Sequence, residues 1–204
     1  QKRREIKKLI LENSFKAGAC HIGSALSCVD ILIDLFYRQM KKGDILIFSK
    51  ASGVVAYYAI LADKGYFSKS RISYFLKKYP LSNRKVPGVI IDGGSCGHGL
   101  PQAVGMALAD KKRKVYCLMS DGELQEGTTW ESLLFKKQHK LNNLKIIVDN
   151  NHWQACGKIK DILEPDWEFL EKCGVKIIKT IKGDGISFME GKNEWHYYNL
   201  TSEL

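Results

Sequence analysis

The sequence lacks any apolar run of ~18 residues, the length a helix needs to cross a bilayer, so no membrane-spanning helix is expected. Its opening residues, Gln1-Lys-Arg-Arg-Glu-Ile, hold no apolar stretch ahead of a small-residue cleavage site, so no signal peptide is expected either. The six cysteines, Cys20, Cys28, Cys96, Cys117, Cys156 and Cys173, form no CxxC pair, and no histidine pair completes a zinc pattern. Scattered thiols of this kind read as reduced, and with the missing leader they point to the cytoplasm. There is no internal repeat and no low-complexity linker. A chain of 204 residues fits a single α/β domain spanning 1–204.

The net charge of +10 raises the question of nucleic acid. The basic clusters at Lys2–Arg4, Lys111–Lys114 and Lys136–Lys140 are short, and no aromatic residues interleave with them as a stacking platform would require. The charge therefore reads mostly as a solvated surface, with some of it available to an acidic cofactor, a phosphorylated substrate or an acidic partner subunit. Neither nucleic acid nor membrane is expected as a partner.

Apolar spacing predicts an amphipathic helix around Ile6, Leu9, Ile10 and Phe15, ending near Gly18. Further helices are expected at 30–40, 54–64, 68–79, 102–109 and 130–141. Short β-rich runs at Val89–Ile91, Val115–Met119, Ile146–Val148 and Val175–Ile178 mostly lack alternation, as expected of strands covered on both faces. Strands separated by helices at this spacing predict an α/β fold: a mostly parallel sheet with helices on both faces.

Two polar clusters follow two of these strands directly. One is SDGELQEG at Ser120–Gly127; the other is VDNNHW at Val148–Trp153. Thirty residues separate Asp121 from Asn151. Both clusters fall at carboxyl ends of parallel strands, the edge where open α/β sheets bind ligands. Neighbouring strands lie ~4.8 Å apart, so the two loops can share one ion. Mg²⁺ takes oxygen ligands in near-octahedral geometry and uses few protein groups beside phosphates. Asp121, the Asn151 amide oxygen and a loop carbonyl make such a set. Gly122 would let the backbone approach a phosphate and offer its N–H.

An Asp-Gly, about thirty residues and then Asn is the thiamine-diphosphate motif. With Leu124–Gly127, Trp130-Glu131 and Asn143-Leu144, the chain resembles the transketolase family. The resemblance runs from about Ile6 to His196 and implies a thiamine-diphosphate-binding fold of the diphosphate type. It implies that Asp121, Asn151 and the Trp153 carbonyl hold Mg²⁺, with Gly122 and Glu123 in the cofactor site. His21, in KAGACHIG at Lys16–Gly23, resembles the histidine that faces the reacting carbons. The loop GGSCGHGLP at Gly93–Pro101 resembles the one around the thiazolium and diphosphate, which brings in Gly94, Ser95, Cys96 and His98. His196, in NEWH at Asn193–His196, corresponds to a histidine near diphosphate and substrate. Glu126 resembles a glutamate that meets its counterpart across a subunit interface. The resemblance puts His21, His196 and Glu126 among the catalytic residues.

The sequence departs from the family at several points. Ser120 stands where glycine is usual. In SKASG at Ser49–Gly53, Ser52 replaces a phosphate-contacting histidine. A Gly-His-Pro segment near the donor sugar is replaced by YPLSNR at Tyr79–Arg84. The stretch 167–175 is too short for the strand and helix the family places before Lys179–Gly183; a true deletion and a segment missing from the joined residues both account for it.

The resemblance also implies a partner. The glutamate that hydrogen-bonds the aminopyrimidine belongs to a second, pyrimidine-binding domain, which this chain is expected to lack. A separate transketolase-like subunit would supply it, in an α2β2 assembly. The expected activity is transfer of a two-carbon ketol unit between sugars. The alternative is acyl-anion transfer from a 2-oxoacid to a sugar or other carbonyl acceptor, motivated by the lost histidines. A basic, non-enzymatic binding module is the third possibility, and the intact Asp121/Asn151 pair argues against it.

Overall fold

The computed structural model describes residues 1–202. Four parallel strands form one sheet in sequential order. They are β1 (Ile45–Phe48), β2 (Val115–Ser120), β3 (Leu144–Asn150) and β4 (Val175–Lys179). In-register pairs such as Cys117 with Ile146 and Ser120 with Asp149 bring the ends of β2 and β3 level.

Ahead of the sheet come α1 (Lys2–Ala17), α2 (Ile22–Ser27) and α3 (Val29–Asp34), the last running on into a wider turn over Leu35–Gln39. Between β1 and β2 lie α4 (Val54–Asp63), α5 (Ile72–Lys78) and α6 (Gly99–Ala109). α7 (Gly127–Gln138) links β2 to β3, and the short α8 (Ile159–Ile162) and α9 (Trp167–Lys172) precede β4.

Side chains alternate across a strand, so each strand feeds two cores. Leu46, Phe48, Tyr116, Leu118 and Ile147 pack against α1–α5. Ile47, Val115, Cys117, Met119, Ile146 and Val148 pack against α6, α7 and α9. Covering both faces explains the continuous apolar runs in β2 and β3. α1 ends as its sequence requires: Gly18 caps it at φ 62°, the left-handed conformation that glycine adopts without a Cβ penalty.

Three of the four expected strands are present. Val89–Ile91 is not one: Val89 and Ile91 are buried, but Pro87-Gly88 and Asp92-Gly93 break the backbone on either side and it runs as an irregular loop. The fourth strand is β1. Its four residues lie directly before the Ser49-Lys50 turn and pair with β2. The helix expected at 130–141 starts earlier, with Glu126 as its N-cap, and the one expected at 102–109 begins at Gly99. No helix among the described residues is long and apolar enough to cross a membrane.

Candidate active site

The carboxyl edge of the sheet opens into a cavity of about 350 Å³. Its wall draws on every part of the chain singled out by sequence: His21, Ser52, Gly94 and Cys96, then Asp121, Gly122, Glu123 and Glu126, then Trp153 and His196. Two of these segments enter it through strained backbone. His21 and His152 have φ of 64° and 68°, the left-handed region that non-glycine residues seldom adopt. Such outliers cluster at functional sites, where surrounding structure holds them.

Asp121 follows β2 and is fully buried. Its Oδ1 accepts the Gly122 N–H at 2.9 Å and its Oδ2 the His152 N–H at 2.7 Å. The second bond ties the carboxylate to the loop that carries Asn151. No basic side chain lies within 4 Å of it among the described residues. Burial pushes its pKa up to about 6, against the pull of Lys50. Asn151 is also buried; its Oδ1 accepts the Trp153 N–H at 3.0 Å, and its amide donates to Ser27 Oγ at 3.3 Å. A buried carboxylate without a counter-ion, an amide oxygen and an adjacent loop suit a hard divalent cation better than a soft one. No group of three or more His, Cys, Asp or Glu placed to hold a metal ion occurs among the described residues.

The Gly122 N–H donates to Asp121, which keeps this backbone beside the carboxylate at the cavity wall. Glu123 is likewise buried. Its carboxylate accepts from Ser49 Oγ, from the Gly97 N–H at 3.2 Å, and from Ser120 N–H at 2.7 Å and Oγ at 3.1 Å. It braces the ends of β1 and β2 and the glycine-rich loop. Burial raises its pKa and these donors oppose the rise. Ser120, the departure from glycine, thus serves as a helix cap. Gly99, at the start of α6, sits against Ser49; a Cβ there would meet the Ser49 side chain and come within 2.8 Å of its Cα.

Ser95 and His98 are exposed and do not line the cavity. They belong to the turn that leads into α6, where the His98 N–H donates to the Ser95 carbonyl at 3.4 Å. Glu126 is exposed at the rim.

Two lysines that the sequence did not flag are buried at the site. Lys50, from the turn after β1, pairs with Asp149 at 3.2 Å and donates to Ser24 Oγ at 2.8 Å. Ser24 Oγ in turn lies 3.2 Å from Ser52 Oγ. Burial is the largest influence and works against the Lys50 charge, but Asp149, Cys28 and Asp121 together more than offset it and the pKa rises. Lys182 donates to Asn193 Oδ1 at 2.6 Å and lies 3.1 Å from His196 Nδ1. The His196 and His21 rings meet edge to face, centroids 4.8 Å apart. Burial, then Lys182, lowers the pKa of both, that of His196 to about 3.

Residues 1–184 match the family model described as 1-deoxy-D-xylulose-5-phosphate synthase. A subunit of apulose-4-phosphate transketolase from Actinobacillus succinogenes is 37% identical over 240 aligned positions, covering 94% of this chain and 87% of that protein. A subunit of 6-deoxy-6-sulfo-D-fructose transketolase from a Clostridium species is 32% identical, covering 98% and 90%. Both alignments are longer than the 204-residue chain, so these relatives carry segments it lacks. Among solved structures, transketolase from Leishmania mexicana superposes with a TM-score of 0.87 at 19% identity, and that from Campylobacter jejuni with 0.85 at 23%. At those identities the likeness is one of fold. The chain spans about 40% of the length of each.

The fold and the site thus define a domain of the thiamine-diphosphate-binding class. Within that class, the chain belongs to the family of 1-deoxy-D-xylulose-5-phosphate synthase and transketolase.

Proposed function

We propose that this chain supplies the Mg²⁺–diphosphate half of a transketolase-like enzyme that moves a two-carbon ketol unit between sugars. The observation that carries the reading is Asp121: a buried carboxylate with no cationic partner among the described residues, bonded to the Asn151–Trp153 loop at the edge of the cavity. In this reading Asp121, the Asn151 amide oxygen and the Trp153 carbonyl hold Mg²⁺. Thiamine diphosphate, when bound, supplies the electron sink for C–C bond cleavage. Ser52, Gly94, Cys96, Gly122 and His196 bind and orient its diphosphate end. His21, whose proton affinity burial lowers, holds donor oxygens as a neutral imidazole. Glu126 at the rim faces a second copy of the chain.

A partner protein provides the pyrimidine-binding domain, and the complete enzyme is α2β2. The relatives support the need for a partner subunit, because they carry the name of subunits and the chain covers 87% or more of them. The six cysteines are free, which suits a reducing, cytoplasmic setting.

The test is a titration of thiamine diphosphate, with and without Mg²⁺, on the chain together with its partner. Asp121→Ala should abolish the Mg²⁺-dependent part of the affinity; an unchanged affinity contradicts the reading. A second reading, acyl-anion transfer from a 2-oxoacid, draws support from Ser52 and the 79–84 loop, where two family imidazoles are absent. Product analysis with fructose 6-phosphate against pyruvate as donor separates the two.

A further inference from the structure

Lys182 occupies a place where a lysine is costly. It is 1% exposed, and its two hydrogen-bond partners are neutral groups rather than carboxylates. Its stem passes Gly23, where a Cβ would meet Lys182 Cγ at 3.2 Å and Trp195 Cβ at 3.5 Å. Gly23 also accepts the Gly183 N–H through its carbonyl at 2.9 Å, which fixes the backbone next to the lysine.

The partners fix which atoms donate. Asn193 Nδ2 donates to the Ala155 carbonyl at 3.2 Å, so the oxygen of that amide is the end that faces Lys182. An ammonium has three donors and no acceptor. Nδ1 of His196, 3.1 Å from Nζ, is therefore an acceptor. A neutral imidazole carries its single proton on one nitrogen, so an accepting Nδ1 leaves it on Nε2.

We propose that Lys182 is a positioning residue: it donates to Nδ1 of His196 and so confines the imidazole proton to Nε2, the nitrogen left for a ligand. The proposal deepens the reading of this cavity as a diphosphate and substrate site, and its significance rests on that reading. His196 then offers an anionic oxygen a directed N–H, while the positive charge stays behind it on Lys182. The charged and titratable groups around His196 are Lys182, the His21 ring at 4.8 Å, the neighbouring Tyr197 ring at 4.9 Å and, further off, Lys50. None is an acid that would draw a second proton onto the ring.

The experiment is nitrogen NMR of the full chain labelled at its histidine side chains. There are five histidines, and His196→Gln identifies the signals of interest. At neutral pH His196 should show a protonated Nε2 and an unprotonated Nδ1 as one tautomer. Lys182→Met should lose that selection and show both tautomers. A wild-type His196 found as the Nδ1–H tautomer or as an imidazolium overturns the proposal, as does a folded Lys182→Met protein with the wild-type pattern. Should that variant fail to fold, the wild-type spectrum decides by itself. The tautomer is read without cofactor or partner, so failure of the Asp121 titration would sink the functional reading and leave this one standing.

Discussion

Lys50 and Asp149 face each other at 3.2 Å with side chains 1% and 0% exposed, so the charge pair at the heart of the site is dry. Asp149 also accepts from Ser27 Oγ at 2.6 Å and from Thr180 Oγ1, which joins α2, β3 and the end of β4. Removing one member of a buried pair strands the other and typically costs about 3–5 kcal/mol. Lys50→Met and Asp149→Leu should each destabilise the chain by that order in urea unfolding. The double variant should lose less than the sum, because neither charge is left alone. Additive losses would show that the pair does not couple.

Two buried groups with lowered pKa values, Lys182 and His196, make distinct contributions to the pH dependence of stability. Lys182 has its pKa lowered to about 8, chiefly by burial and then by Lys50. Between pH 8 and the unfolded value of ~10.4 the unfolded chain holds more protons, so stability rises with pH across that window. Lys182→Met should flatten this rise, which amounts to roughly 1.4 kcal/mol per pH unit at most.

On the acid side one contribution comes from His196, held down to about 3 by burial first and Lys182 second. The unfolded chain takes up a proton near ~6.5 that the folded one refuses. The stability contributed by this group is therefore lost as pH drops from ~6.5 towards 3. His196→Gln should remove this contribution, and urea midpoints compared at pH 7 and pH 5 check it. A wild-type loss between those pH values equal to that of the variant would count against the burial of a neutral imidazole.

These lysines also mark where the sequence ceased to be legible. Asp121, Asn151 and the cavity segments around them were readable because type, spacing and strand context agree at each. Strands β2, β3 and β4 announced themselves as apolar runs. β1 did not: Ile45–Phe48 is four residues long and merges into the Ser49–Gly53 motif. Val89–Ile91 misled for the opposite reason, since burial of two residues resembles a strand when no pairing partner can be seen. Lys50 and Lys182 look like any of the 32 basic residues, most of which do lie on the surface. Only Asp149 and Asn193, brought close by the fold, reveal that these two are inside.

Gly99 tests how closely α6 must approach the end of β1. A Cβ there would come within 2.8 Å of Ser49 Cα, and backbone cannot swing aside as a side chain can. Gly99→Ala should destabilise by about 1–3 kcal/mol, as overpacking does. Because Ser49 donates to Glu123, which also holds Gly97 and Ser120, the same change should weaken cofactor affinity. A variant with wild-type stability and affinity would show that α6 can shift at no cost.

Ser52 and Asp121 should differ widely in what they contribute to cofactor binding, and the difference ranks the two halves of the site. Ser52 presents a neutral hydroxyl, linked through Ser24 to Lys50. A neutral hydrogen bond contributes about 0.5–1.5 kcal/mol net, so Ser52→Ala should weaken thiamine diphosphate binding only a few-fold to about tenfold. In the proposed role as a metal ligand Asp121 has no buried substitute, because Glu123 is already occupied by Ser49, Gly97 and Ser120 and Glu126 lies exposed at the rim. Asp121→Ala should therefore remove Mg²⁺-dependent binding altogether. Calorimetric titration of both variants in saturating Mg²⁺ makes the comparison. If Ser52→Ala proved as damaging as Asp121→Ala, the diphosphate would be held by the hydroxyl chain, and the metal would lose its central place in the site.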